Sequence, residues 1–159
     1  AAENAMMGIG QQRKHQIVPH GGFTDPEYGS VGLTEAKARA GQEVEVSVVP
    51  FLDMDRAVID GHTNGFCKLI VSRETHRILG AHVAGEQALE IVQLVAAGMT
   101  ADMWIEQLAE MEISYPTYTA IVGVAARRIV RDLGVRPLSP QWRTLGKTHL
   151  AEWERSNGI

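Results

Sequence analysis

Three strand-type segments crowd the first half of this chain and helix-type segments fill the second, an order that leaves few architectures open. Glu43-Val44-Glu45-Val46-Ser47-Val48 alternates polar and apolar residues, a period of two that predicts a half-buried strand with Val44, Val46 and Val48 on its buried face. Pro50 ends it. Gly65 to Val71 and Ile78 to Val83 are two further strands, joined by the polar stretch Ser72 to Arg77, a hairpin loop longer than the tight two-residue kind. After Gly85 the period changes. Ala88, Ile91, Val92 and Val95 follow the i, i+3, i+4, i+7 spacing of a helix that packs one face on a sheet, with Gln87, Glu90 and Gln93 opposite. Strands first and helices later predict an α+β fold, an antiparallel sheet of about five strands covered by helices.

Smaller signals fill in the frame. Thr34 is placed to cap a short helix over Glu35 to Ala40, with Gly41 as its stop. Thr100 is expected to cap a second short helix running through Trp104 to Leu108. The last long helix carries Tyr118, Ile121, Val122, Ala125, Ile129 and Leu133 on one side. Arg127, Arg128 and Arg131 lie towards its C-terminal end, where positive charge complements the helix dipole. Ala1 to Gly8 has the composition of a closing helix stopped by glycine. The breaker Arg136-Pro137-Leu138-Ser139-Pro140 opens a polar tail containing Trp142 and Trp153. The expected divisions are therefore 1–16, the end of a preceding segment; 17–134, the compact domain; and 135–159, an extension.

Composition excludes several function classes. At 159 residues the chain suits one domain, a size that buries about 70% of its unfolded surface. Net charge is −4 and the basic residues are scattered, with no Lys/Arg stripe interleaved with aromatics, so nucleic acid is not an expected partner. No apolar run is long enough to span a bilayer as a helix, and no leader pattern precedes them, so no membrane association and a cytoplasmic location are expected. Cys67 is the single cysteine, which leaves no intrachain disulfide and no redox-active pair. Its apolar flanks predict a buried structural thiol. Six scattered histidines lack metal-ligand spacing, and structural roles are expected for all of them, His82 within its strand included; no metal site is expected. Asp25-Pro26 predicts a turn, and Asp53 and Asp55 a solvated loop. Gly8-Ile9-Gly10 lacks the third glycine and the strand–helix context of a dinucleotide turn.

The chemistry-bearing candidates lie in one segment, Ser114-Tyr115-Pro116-Thr117-Tyr118-Thr119-Ala120, just ahead of the last helix. Taken with Phe23-Thr24-Asp25-Pro26-Glu27-Tyr28-Gly29, Gly65 to Val71, Ile78 to Gly85 and Ala88 to Ile91, it resembles the C-terminal dimerisation domain of the pyridine nucleotide-disulfide oxidoreductases. These flavoenzymes include dihydrolipoamide dehydrogenase, glutathione reductase and mercuric reductase. The resemblance spans about residues 17 to 134 and implies a parent enzyme that uses FAD and NAD(P). It further implies a homodimer, docked on the FAD- and NAD(P)-binding domains of its own chain, in which this loop crosses a two-fold axis to the partner's flavin. Tyr115 and Pro116 are the residues it would lend, and Ile113, Tyr118 and Val122 are the expected subunit contacts. The isolated chain would hold neither cofactor.

In that family the segment usually reads His-Pro-Thr-x-x-Glu, its His and Glu forming an acid–base dyad. Tyr115 and Ala120 stand in those places. A histidine with a pKa of about 6.5 shuttles protons at neutral pH, whereas a tyrosine near about 10 stays a donor. Ala120 also removes the carboxylate of a capping box headed by Thr117. Losing both dyad members points to an acceptor other than a dithiol. Mercuric reductases carry a tyrosine near this place but use a C-terminal cysteine pair, absent from Glu154-Arg155-Ser156-Asn157-Gly158-Ile159, so a divergent reductase-like flavoprotein is expected. The bland reading of Tyr115 is an aromatic packed in a rigid turn. A free-standing interaction module without a redox role is the rival from another class. A small-ligand or metal-binding domain is a third, and it would require a tight complex with the purified chain.

Overall fold

The computed structural model describes Met6 and residues 17–135; the expected helix end over 1–8 and the tail after Val135 otherwise lie outside the described residues. Strands β1 (His20–Gly22), β2 (Tyr28–Gly32), β3 (Val44–Pro50), β4 (Phe66–Ser72) and β5 (Ile78–Ala84) form one sheet in the order β1-β2-β5-β4-β3, antiparallel throughout. The expected hairpin is β4–β5, with Ser72 N–H donating to Arg77 O at 3.0 Å across its loop. Helices α1 (Glu35–Gly41) and α2 (Asp55–Asp60), the latter preceded by a 3-10 turn over Phe51–Asp53, interrupt the strands. Helices α3 (Ala88–Thr100), α4 (Ile105–Glu110) and α5 (Ala120–Asp132) follow them. The α+β architecture is as the sequence predicts.

The two faces of the sheet are covered unequally. Cys67, Leu69 and Val71 of β4 and Ala81 and Val83 of β5 pack under α3 and α5, whose Ile91, Val92, Val95, Ile121, Ala125 and Ile129 complete the main core. The other face carries a small cluster of Ala38, Val44 and Ile70 beneath α1. Thr34 caps α1, its Oγ1 accepting from Lys37 N–H at 3.4 Å. Glu35 then ties the helix to the sheet through Lys68 Nζ at 2.9 Å. Lys68, and after it Arg39, hold the Glu35 carboxyl below its ordinary value.

Two expectations are corrected here. Val44, Val46 and Val48 do share a face, but it is the one under α1, which covers only the first end of β3. Val48 is exposed, and Val49 on the opposite face reaches the main core beside buried Ser47. Thr100 does not cap the helix that follows. It ends α3, its Oγ1 donating to Ala96 O at 2.8 Å, while α4 starts after Trp104, whose N–H donates to Gln107 Oε1 at 2.9 Å.

Gly85 shows how tightly the sheet end abuts the 3-10 turn. Its φ is 141°, and a Cβ there would lie 2.5 Å from the Phe51 ring, so only glycine fits. Among the described residues no helix is long and apolar enough to cross a membrane, and no cluster of three metal-ligating side chains occurs.

Candidate functional site

The loop between α4 and α5 is fixed from both ends. Tyr115–Pro116 is a cis peptide, as is Asp25–Pro26. Downstream, Ala120, Ile121 and Val122 N–H donate to the carbonyls of Thr117, Tyr118 and Thr119, so the chain winds through a tight turn before α5 begins. Thr117 is not the cap expected from the sequence. Its Oγ1 donates back to Ser114 O at 2.6 Å and lies 3.0 Å from Thr119 Oγ1, bracing the turn rather than the helix. Ala120 opens α5, and its first turn holds no acidic residue.

The two tyrosines of the loop both reach α2. Tyr118 lies in the core at 4% exposure, its ring 5.9 Å from that of Phe51, and its hydroxyl donates to Asp60 Oδ2 at 3.0 Å. Arg56 Nε pairs with the same Asp60 oxygen at 2.7 Å. Tyr115 is 69% exposed, and its hydroxyl donates to Asp55 Oδ2 at 2.5 Å. Arg128 of α5 adds a third tie, NH2 to Asp53 Oδ2 at 2.8 Å, with both side chains largely shielded. Asp53 and Asp55 therefore do not lie in a solvated loop; one ends the 3-10 turn and the other begins α2.

Sequence reasoning missed α2 and its carboxylates. The available signals were Met54 and Ala57, buried at i, i+3, and Gly61, which stops the helix at φ 75°. Two of the three expected subunit contacts, Tyr118 and Val122, are core residues, and Ile113 is half-buried against Gly123. Exposed apolar side chains on the elements the two tyrosines reach are instead Leu52 of the 3-10 turn and Val58 and Ile59 of α2.

The remaining candidates have structural partners. His82 donates from Nε2 to Leu33 O at 3.0 Å, which leaves Nδ1 to accept from Ser30 Oγ, also at 3.0 Å. Cys67 is fully buried, and burial pushes its thiol up to about 12. Burial, followed by the bond to Asp60, pushes the Tyr118 phenol up to about 12 as well. Both groups hold their protons more tightly folded than unfolded, from ordinary values of 9.0 and 10.0. Their contribution to stability is therefore complete below the unfolded values and drains away as pH rises towards the folded ones. Urea midpoints should hold to about pH 9 and then fall, with a flatter alkaline limb in a Cys67→Ala, Tyr118→Phe double variant; parallel limbs would contradict this.

A sheet of this order, wrapped by α3 and α5 and carrying a braced loop at one end, defines a reductase dimerisation domain. Residues 18–126 match the family described as "Pyridine nucleotide-disulphide oxidoreductase, dimerisation domain", and the chain belongs to it. Mercuric reductase from Bacillus cereus is 32% identical over 134 residues, covering 84% of this chain and 21% of that protein. Dihydrolipoyl dehydrogenase from Haloferax volcanii is 36% identical over 112 residues, 70% of this chain and 24% of that protein. Among solved structures, the HOCl-induced flavoprotein disulfide reductase RclA from Escherichia coli superposes with a TM-score of 0.73 at 26% identity, covering 79% of this chain and 30% of that one. The chain thus spans about a fifth to a quarter of the length of these curated relatives.

Proposed function

We propose that this domain joins two copies of an FAD- and NAD(P)-dependent oxidoreductase and lends Tyr115 and Pro116 to the flavin site of the partner subunit. The observation that carries the reading is the exposed Tyr115 on a braced loop, held by Asp55 of α2, with exposed Leu52, Val58 and Ile59 on that helix and the 3-10 turn before it. Exposed apolar side chains of this kind suit burial against a second copy, and a two-fold contact would be isologous. The relatives named mercuric reductase and dihydrolipoyl dehydrogenase, and the neighbour named a flavoprotein disulfide reductase, support an oxidoreductase parent. By itself the chain is expected to bind neither cofactor.

The same reading assigns the parent an electron acceptor other than a dithiol. A phenol at position 115 and a methyl group at position 120 supply no base for relaying thiol protons near neutral pH. The test is the full-length Tyr115→His, Ala120→Glu variant, which restores the family dyad. Lipoamide-type disulfide reduction should rise about a hundredfold or more over the native enzyme, the lower end of what a general acid–base group contributes. No gain would mean the loop does not set the acceptor class.

A further inference from the structure

We infer that Asp55 is a positioning residue for Tyr115, supplying from α2 the carboxylate partner that the family's glutamate supplies from the start of the last helix. The inference rests on the proposed role of Tyr115 and extends it to a residue sixty positions earlier in the chain.

The geometry is specific about which groups are committed elsewhere. Ala120 has no polar side-chain atom. Thr117 is engaged with Ser114 O and Thr119, and Tyr118 with Asp60, which also carries the Arg56 ion pair. Asp55 meets the Tyr115 hydroxyl at 2.5 Å, and a hydrogen bond to a carboxylate is among the stronger kinds. A phenol has one proton, and giving it to Asp55 fixes both the ring's direction and the direction of the oxygen lone pairs. Asp55 is itself held in place because α2 is anchored by buried Ala57 and Met54 and by the Tyr118–Asp60 bond at its other end. The two tyrosine–aspartate pairs divide the labour: the inner one holds α2 to the loop, and the outer one aims Tyr115.

The experiment is a double-mutant cycle in the full-length parent with Asp55→Ala and Tyr115→Phe, read as separate kcat and KM values. Asp55→Ala should lower kcat by about the same factor as Tyr115→Phe while leaving KM for NAD(P)H unchanged, and the double variant should be no slower than Tyr115→Phe alone. Asp55→Asn, which keeps an acceptor oxygen, should fall between, and Asp55→Glu should recover part of the rate. Wild-type kcat in Asp55→Ala beside a slow Tyr115→Phe would overturn the inference and leave the proposed role of Tyr115 standing. A further multiplicative loss in the double variant would also overturn it, because Asp55 would then act independently. If Tyr115→Phe itself runs at full speed, the role of Tyr115 fails and the inference fails with it.

Discussion

Tyr115→Phe in the full-length parent is expected to lower turnover by about tenfold to a thousandfold, up to what losing one positioned hydrogen-bonding group at a reaction centre costs. The ring is 69% exposed, so the substitution removes no core packing and leaves no cavity. What it does remove is the hydroxyl that meets Asp55. The urea midpoint of the isolated chain should therefore shift little, within the range of ordinary surface substitutions (about 0.5 kcal/mol). A normal kcat with an intact fold would reduce Tyr115 to a packing residue. The buried Tyr118 serves as the internal contrast, because its loss should lower stability in the isolated chain itself.

Leu52→Lys with Ile59→Lys should convert the proposed dimer to monomer. These side chains are 65% and 66% exposed in the single chain, so the fold does not need them. If the patch lies on the two-fold axis, each substitution acts twice and buries a charge without a partner. A weakening of about a hundredfold or more is then expected. Lysine is the better probe than aspartate, because Ile59 lies in the last turn of α2, where positive charge suits the helix end. Sedimentation equilibrium at tens of micromolar (on the order of a typical assay) reads the outcome. A native chain that is already monomeric would place the interface on the parent's other domains, and a variant that stays dimeric would place the axis elsewhere on this one.

What could be read from the sequence divides by range of interaction. The hairpin β4–β5 and the buried face of α3 were legible because their periods of 2 and 3.6 are local properties. The face of β3 was not, since which valines meet the main core depends on where α1 and α5 settle. Helix α2 hid behind its brevity, six residues flanked by aspartates and closed by Gly61, a composition shared with loops. Tyr118 was legible as apolar-face material and is buried, yet its partners Phe51 and Asp60 lie about sixty residues upstream, so its burial against them could not be seen. The Tyr115–Asp55 bond was hidden for the same reason: no local pattern links a loop before the last helix to the first residue of a short helix.

The central claim is that Tyr115 serves the flavin of the other subunit, and hybrid dimers of the full-length parent test it directly. One subunit type carries a substitution in its flavin-binding domain that leaves it without FAD, so each hybrid holds a single flavin. When Tyr115→Phe sits on the flavin-bearing subunit, the flavin-free partner still supplies a native Tyr115, and turnover per flavin should match the native enzyme. When Tyr115→Phe sits on the flavin-free subunit, turnover should fall as far as in the Tyr115→Phe homodimer. Activity that instead follows the residue on the flavin's own chain would contradict the account.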